Sequence, residues 1–148
     1  MAAIVKSIEI SRRPQDVFSY VTDFSRLPEW QGDVVSVRQE SDGPLAVGSS
    51  ALVTRRVGPR QLAGTQEITE LQPPSTWGYT VVGGPVIAIA NYTIAPLDDG
   101  RRSRVTVTLE FKGRGIGRLL VPLVARRQGR RALLRNEQRL KELLERRA

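Results

Sequence analysis

Val105-Thr106-Val107-Thr108-Leu109-Glu110-Phe111-Lys112 alternates apolar and polar residues without a break and leads, through a glycine-rich turn, into a long segment with helical periodicity. In extended backbone Val105, Val107, Leu109 and Phe111 share one face, and Thr106, Thr108, Glu110 and Lys112 share the other. Such clean alternation marks a strand with one buried and one wet face, as antiparallel sheets provide. Residues 33–112 read as six strands, interrupted at Ser41-Asp42-Gly43-Pro44, Val57-Gly58-Pro59-Arg60, Gln72-Pro73-Pro74-Ser75, Gly83-Gly84-Pro85 and Asp98-Asp99-Gly100. Turns this tight imply an antiparallel meander, because parallel neighbours need long crossovers.

Upstream, residues 3–10 alternate and are rich in isoleucine and valine, the pattern of a first strand. A helix is predicted to follow, with Pro14 at its start, Asp16 complementing its amino terminus, and Val17, Phe18, Tyr20 and Val21 on its buried face. Ser25-Arg26-Leu27-Pro28-Glu29-Trp30 reads as a second short helix ended by Gly32, with Asp23 as a cap. Downstream, residues 112–148 hold twelve Lys/Arg against three Asp/Glu, whereas residues 1–111 are nearly neutral with eleven against twelve. Ile116, Leu119, Leu120, Leu123 and Val124 give this cationic helix an apolar stripe. Leu133, Leu140 and Leu144 lie about a quarter turn away from it, which predicts a bend near Gln128-Gly129, and Pro122 is expected to reset the first turn. The organisation is thus one domain over residues 1–148: strand, two short helices, six strands, long helix.

The chain of 148 residues contains neither cysteine nor histidine. This excludes disulfides, His/Cys zinc sites and nucleophile systems built on histidine, so no metal or cofactor is expected and any proton transfer falls to carboxylates, tyrosines, lysines or arginines. The amino terminus carries Lys6 and Glu9 and lacks the uninterrupted apolar core of a secretory signal, and no stretch reaches membrane-span length. The expected location is cytoplasmic.

Ile8-Glu-Ile-Ser-Arg-Arg-Pro-Gln-Asp-Val-Phe-Ser-Tyr-Val-Thr-Asp-Phe-Ser-Arg-Leu-Pro-Glu-Trp30 resembles the opening of the polyketide cyclase/dehydrase and lipid-transport family, within the START-related, birch-pollen-allergen-like helix-grip superfamily. Glu67-Ile-Thr-Glu-Leu-Gln-Pro-Pro-Ser-Thr-Trp-Gly-Tyr79 resembles its central strand–turn–strand, and Ile94-Ala-Pro-Leu-Asp-Asp-Gly-Arg-Arg-Ser-Arg-Val-Thr-Val-Thr108 the hairpin before its last strand. The resemblance implies an α+β helix-grip fold, in which a seven-stranded antiparallel curved sheet with two short helices wraps a long C-terminal helix and encloses a cavity for hydrophobic small molecules. It does not choose between carriers, receptors and enzymes.

The candidate cavity wall comprises Trp30, Tyr79, Tyr92, Leu109, Leu119 and Leu123, with Arg55 or Arg127 as a polar anchor for an anionic ligand group. Each has a second reading: the aromatics as plain core, the arginine stems as cover for apolar surface. Trp77 reads as core. Small Ala88 and Ala90 share a side with Tyr92 and Ile94 and would leave open volume, unless Ile87 and Ile89 point inward instead. Glu67 and Glu70, three apart on a strand, are expected on opposite faces, so that one of them could sit inside as an acid/base group beside Tyr79 or pair with Arg55.

Three functions follow: binding of a lipid or polyketide-like hydrophobic molecule, neutral or anionic; a cyclase/dehydratase using Glu67 or Tyr79; or attachment to anionic membrane or nucleic acid through Arg126, Arg127, Arg130, Arg131, Arg135 and Arg139. Absence of any aromatic after Phe111 disfavours nucleic acid. Gly113-Arg-Gly-Ile-Gly-Arg118 lacks the third glycine and the context of a dinucleotide fingerprint, leaving only an amide-rich helix start. Monomer and homodimer are both compatible with the sequence.

Overall fold

The strand at Val105–Lys112 forms as expected and lies second from one edge of a single seven-stranded antiparallel sheet. The structure, a computed structural model, describes residues 3–83, 86–113 and 121–146, with side chains described throughout these except at positions 57, 86 and 121–126. The elements are β1 (Ile4–Ile10), α1 (Pro14–Val21), a 3-10 turn (Phe24–Arg26), α2 (Leu27–Trp30), β2 (Val34–Gln39), β3 (Ser50–Val57), β4 (Arg60–Gln72), β5 (Thr76–Gly83), β6 (Val86–Leu97), β7 (Arg102–Gly113) and α3 (Val121–Arg146). Sheet order is β1-β7-β6-β5-β4-β3-β2, so β2 to β7 form an uninterrupted meander and β1 pairs with its far end.

Local chemistry sets the two short helices. Pro14 occupies the first turn of α1, where its missing N–H costs nothing, and Asp23 caps the 3-10 turn by accepting the Ser25 amide at 3.0 Å. Val17, Val21, Phe24, Leu27 and Trp30 are buried beneath these helices and close one end of the sheet.

Register settles which face of β6 is inside. Ala88, Ala90 and Tyr92 pair with Phe111, Leu109 and Val107 of β7, so the small side chains share the inner face with the apolar row of β7. In β4 a bulge between Ile68 and Glu70 breaks the two-residue alternation. Glu67 and Glu70 therefore both lie exposed on the outer face, correcting the expectation that one of them points inward.

Helix α3 is uninterrupted through Gln128 and Gly129, where a bend was expected. Leu133, Leu140 and Leu144 are buried against the sheet, and the helix also buries Glu137 among them. Its C-terminal half is tied down by polar contacts: Lys141 Nζ donates to the Glu9 carbonyl at 2.6 Å, Arg139 Nε to the Glu29 carbonyl at 2.6 Å, and Arg12 Nη1 to the Leu144 carbonyl at 2.9 Å. Residues 114–120, with Ile116, Leu119 and Leu120 among them, lie outside the described residues, as do the side chains of Leu123, Val124 and Arg126.

Candidate functional site

Between the inner face of β3–β7 and the first half of α3 lies a cavity of about 680 Å³, within the range of small-molecule sites. Its existence follows from side-chain size. Ala88 and Ala90 on β6 and Ala132 on α3 line it and do not reach far across the gap, while Gly64 and Gly129, also in its wall, allow close approach of Val81 and Phe111. Val53, Val81, Val107, Leu109, Phe111 and Leu133 supply its apolar wall.

Trp30, Arg55, Tyr79, Tyr92 and Leu109 are brought together on this wall. Leu119 and the Leu123 side chain lie outside the described residues. Arg127 does not join them: it is exposed and lies one turn before Arg131, outside the cavity wall, whose α3 side runs through Gly129, Ala132, Leu133 and Asn136 with Arg131 and Arg135 at its edge. Glu67 is likewise outside the cavity, because it alternates with inward-facing Gln66 and Ile68, and the bulge that follows turns Glu70 outward as well.

Tyr79 and Tyr92 rest on Trp77, with centroid separations of 5.2 and 4.6 Å and the Trp77–Tyr92 pair stacked. Trp77 is itself buried behind the wall, as the reading of it as core requires. Adjacent β5 and β6 place these rings together, since Trp77 and Tyr92 are direct cross-strand partners. Burial raises the pKa of Tyr79 and raises that of Tyr92 well above its ordinary value. Both therefore present neutral hydroxyls, able to donate as well as accept hydrogen bonds, at physiological pH.

Arg55 carries an ion pair, but with Asp33 and not with Glu67. Its Nη1 lies 3.0 Å from Asp33 Oδ2, while Asn136 Nδ2 donates to Asp33 Oδ1 at 3.3 Å. Both oxygens of this carboxylate are thus engaged at the rim of the cavity.

Sequence reasoning missed Glu137, which entered only in the count of three carboxylates against twelve cations over residues 112–148. It is 4% exposed, Oε1 has no hydrogen-bond partner among the described residues, and burial raises its pKa to about 7, with Lys6 acting weakly in the opposite direction. The available signal was its position four residues after Leu133 and three before Leu140, squarely on the apolar stripe. No helix among the described residues is long and apolar enough to cross a membrane.

Solved structures share this architecture. A START superfamily protein from Mycobacterium smegmatis matches over 100% of both chains at 14% identity with a TM-score of 0.83. The Streptomyces aromatase/cyclase Zhui is matched over 98% of this chain and 94% of its own at 15% identity, TM-score 0.80. The di-domain ARO/CYC StfQ of the steffimycin biosynthetic pathway is 15% identical over 97% of this chain and 45% of its own, TM-score 0.74. At these identities the likeness establishes the helix-grip fold. No curated protein sequence matches the chain. The family model described as polyketide cyclase / dehydrase and lipid transport matches residues 1–145, and on that whole-length match the chain belongs to this family.

Proposed function

We propose that the protein binds a hydrophobic small molecule, of lipid or polyketide type, in the space between the sheet and α3. The observation that carries this reading is the cavity of about 680 Å³ with its largely aliphatic and aromatic wall. Burying an apolar ligand there gains roughly 25 cal/mol for each Å² withdrawn from water. The small side chains at positions 88, 90 and 132 leave room without cost to the core around Leu27 and Ile10. Family membership and the cyclase and START neighbours support the same class of ligand.

Native mass spectrometry of the purified protein, followed by displacement of an environment-sensitive fluorescent fatty acid, tests it. A retained or displaceable apolar ligand is expected. Protein that is empty as isolated and indifferent to every apolar probe would overturn the reading.

A cyclase or dehydratase activity is favoured by one further observation, the presence of the Tyr79 hydroxyl and the Arg55 guanidinium on the same wall. In that reading neutral Tyr79 donates a hydrogen bond to a substrate carbonyl oxygen as that oxygen gains charge, and Arg55 orients the substrate. Turnover would fall at least about a hundredfold in Tyr79→Phe. Product formation unchanged by that substitution would remove the assignment.

A further inference from the structure

We propose that the ligand is an amphiphile with an anionic head, a carboxylate or phosphate monoester, whose tail fills the cavity while the head sits among Arg56, Arg131 and Arg135 at its mouth. This rests on the ligand-binding reading above and specifies the chemical class it admits.

The apolar cavity does not end in neutral surface. A second space of about 460 Å³ adjoins it and shares Asp33, Arg56, Gly58, Arg135 and Asn136 with its wall. One carboxylate, Asp33, borders the two spaces among the described residues, and both its oxygens are occupied by Arg55 and Asn136. Asp33 therefore balances Arg55 and leaves the remaining guanidinium groups at the mouth uncompensated.

Those groups are arranged at some energetic cost. Arg131 and Arg135 stand one helical turn apart, with Arg127 and Arg139 continuing the row in both directions. Like charges at this spacing destabilise a helix by about 0.2–0.5 kcal/mol per pair. Some arginines elsewhere are paired, Arg12 with Asp16, Arg26 with Asp23, and Arg102 and Arg104 with Glu9. Others, such as Arg38, Arg60 and Arg130, carry no ion pair among the described residues, so it is convergence on one opening that sets the mouth arginines apart. Arg56, Arg131 and Arg135 form no ion pair among the described residues, and all three are exposed. Arg56 reaches the mouth from β3 and the other two from α3, so an anion between them would be gripped from both layers. Guanidinium groups meet carboxylate and phosphate oxygens in paired hydrogen bonds, which suits this position better than a lysine would.

The test compares four probes of equal chain length, myristate, myristyl phosphate, myristyl alcohol and tetradecyltrimethylammonium, by displacement titration below their micelle concentrations. Both anions are expected to bind at least about tenfold more tightly than the alcohol, with the cation weakest. Raising salt should weaken the anions and leave the alcohol unchanged. In the triple variant Arg56→Gln, Arg131→Gln, Arg135→Gln the anion preference should shrink to within about threefold while the alcohol binds as before. The melting temperature of that variant, equal to or above the parent's because the like-charge row is relieved, verifies its fold.

Equal affinity for alcohol and anion, or a preference that survives the triple substitution, overturns the inference and leaves hydrophobic binding intact. Failure of all four probes overturns both readings. Inorganic phosphate binding as tightly as myristyl phosphate would show an anion site that ignores the tail. Co-sedimentation with phosphatidylglycerol vesicles in the absence of monomer binding would assign the arginines to a membrane surface. Either result overturns the proposal.

Discussion

Arg55 on β3 and Asp33, just before β2, form an ion pair of 3.0 Å in the rim of the cavity, and the helix is drawn into it by Asn136. Asn136 also accepts the Gly32 amide through Oδ1 at 3.3 Å. One carboxylate and one amide thus link the start of β2, the end of β3 and the middle of α3. The first half of α3 stands over an open space, so this junction helps to set the gap between helix and sheet.

Asp33→Ala should therefore cost more than an ordinary surface substitution. Both ionic partners are about one-fifth exposed, which limits the pair itself to about 1 kcal/mol, and loss of the Asn136 contact adds about as much. Urea unfolding should show a midpoint lowered accordingly, and a cycle with Asn136→Ala should reveal coupling of at least about 0.5 kcal/mol. Strict additivity of the two substitutions would mean that the junction does not act as a unit.

The cavity depends on what its inner positions lack, and Ala88→Leu tests this directly. Ala88 faces Phe111 across the β6–β7 ladder and lines the open space. A leucine there fills part of the void, so stability should rise by about 0.5–2 kcal/mol while affinity for an apolar probe falls at least about tenfold. Thermal unfolding and displacement titration on the same sample check both. A variant that is stabilised and still binds normally would place the ligand elsewhere.

How far the sequence could be read follows from the same residues. Strand order and the terminal helix were readable because β7 alternates cleanly and tight turns separate its predecessors. The inner phase of β6 was not, since Ile87, Ile89, Ala88 and Ala90 are apolar on both faces and pairing with β7 decides between them. The expectation that one of Glu67 and Glu70 faces inward failed because strand phase puts Glu67 outside and a bulge after Ile68 turns Glu70 outside too. A bulge belongs to the pairing of β4 with β5 and leaves no mark on either strand alone. Arg127 was misplaced because the inner stripe of α3 is carried near the cavity by Gly129 and Ala132, too small to register as apolar signal. Glu137 was passed over for the converse reason: charge was read as exposure although the spacing put it inside.

Gly129→Ala should show how closely α3 approaches β7. A methyl group at this position would fall on the edge of the Phe111 ring and come within 3.6 Å of a Leu109 methyl carbon. Alanine favours the helix by about 1 kcal/mol, so displacement of the ring offsets the gain and net stability should change by less than that. The ring can yield into the cavity, and apolar probe affinity should therefore drop. Adding Phe111→Leu should restore binding, and a Gly129→Ala variant that binds at full affinity would show that the ring moves some other way.

The buried carboxyl of Glu137 predicts a pH dependence of opposite sign to that of the surface carboxylates. Lys6 on β1 faces it from the sheet and Tyr92 lies near it on β6, while Lys141 on the next turn of α3 is already engaged by Glu145 and the Glu9 carbonyl. With its pKa raised by burial from 4.5 to about 7, Glu137 binds its proton more tightly in the folded state than in the unfolded chain. Folding is then unpenalised by this group below the unfolded value, and stability is lost as pH rises through about 7. The full effect is roughly 3 kcal/mol as an upper bound. Glu9, held down by Arg104 and Arg102, behaves in the reverse manner, but its contribution is lost only below the ordinary glutamate range. Tyr79 and Tyr92 titrate above 10, so the interval between about pH 5 and pH 8 isolates Glu137. Urea midpoints of the parent should fall across that interval, and those of Glu137→Gln should stay level and exceed the parent's at the alkaline end. Parallel pH profiles for the two proteins would mean that Glu137 ionises at its ordinary value, with water reaching it behind α3.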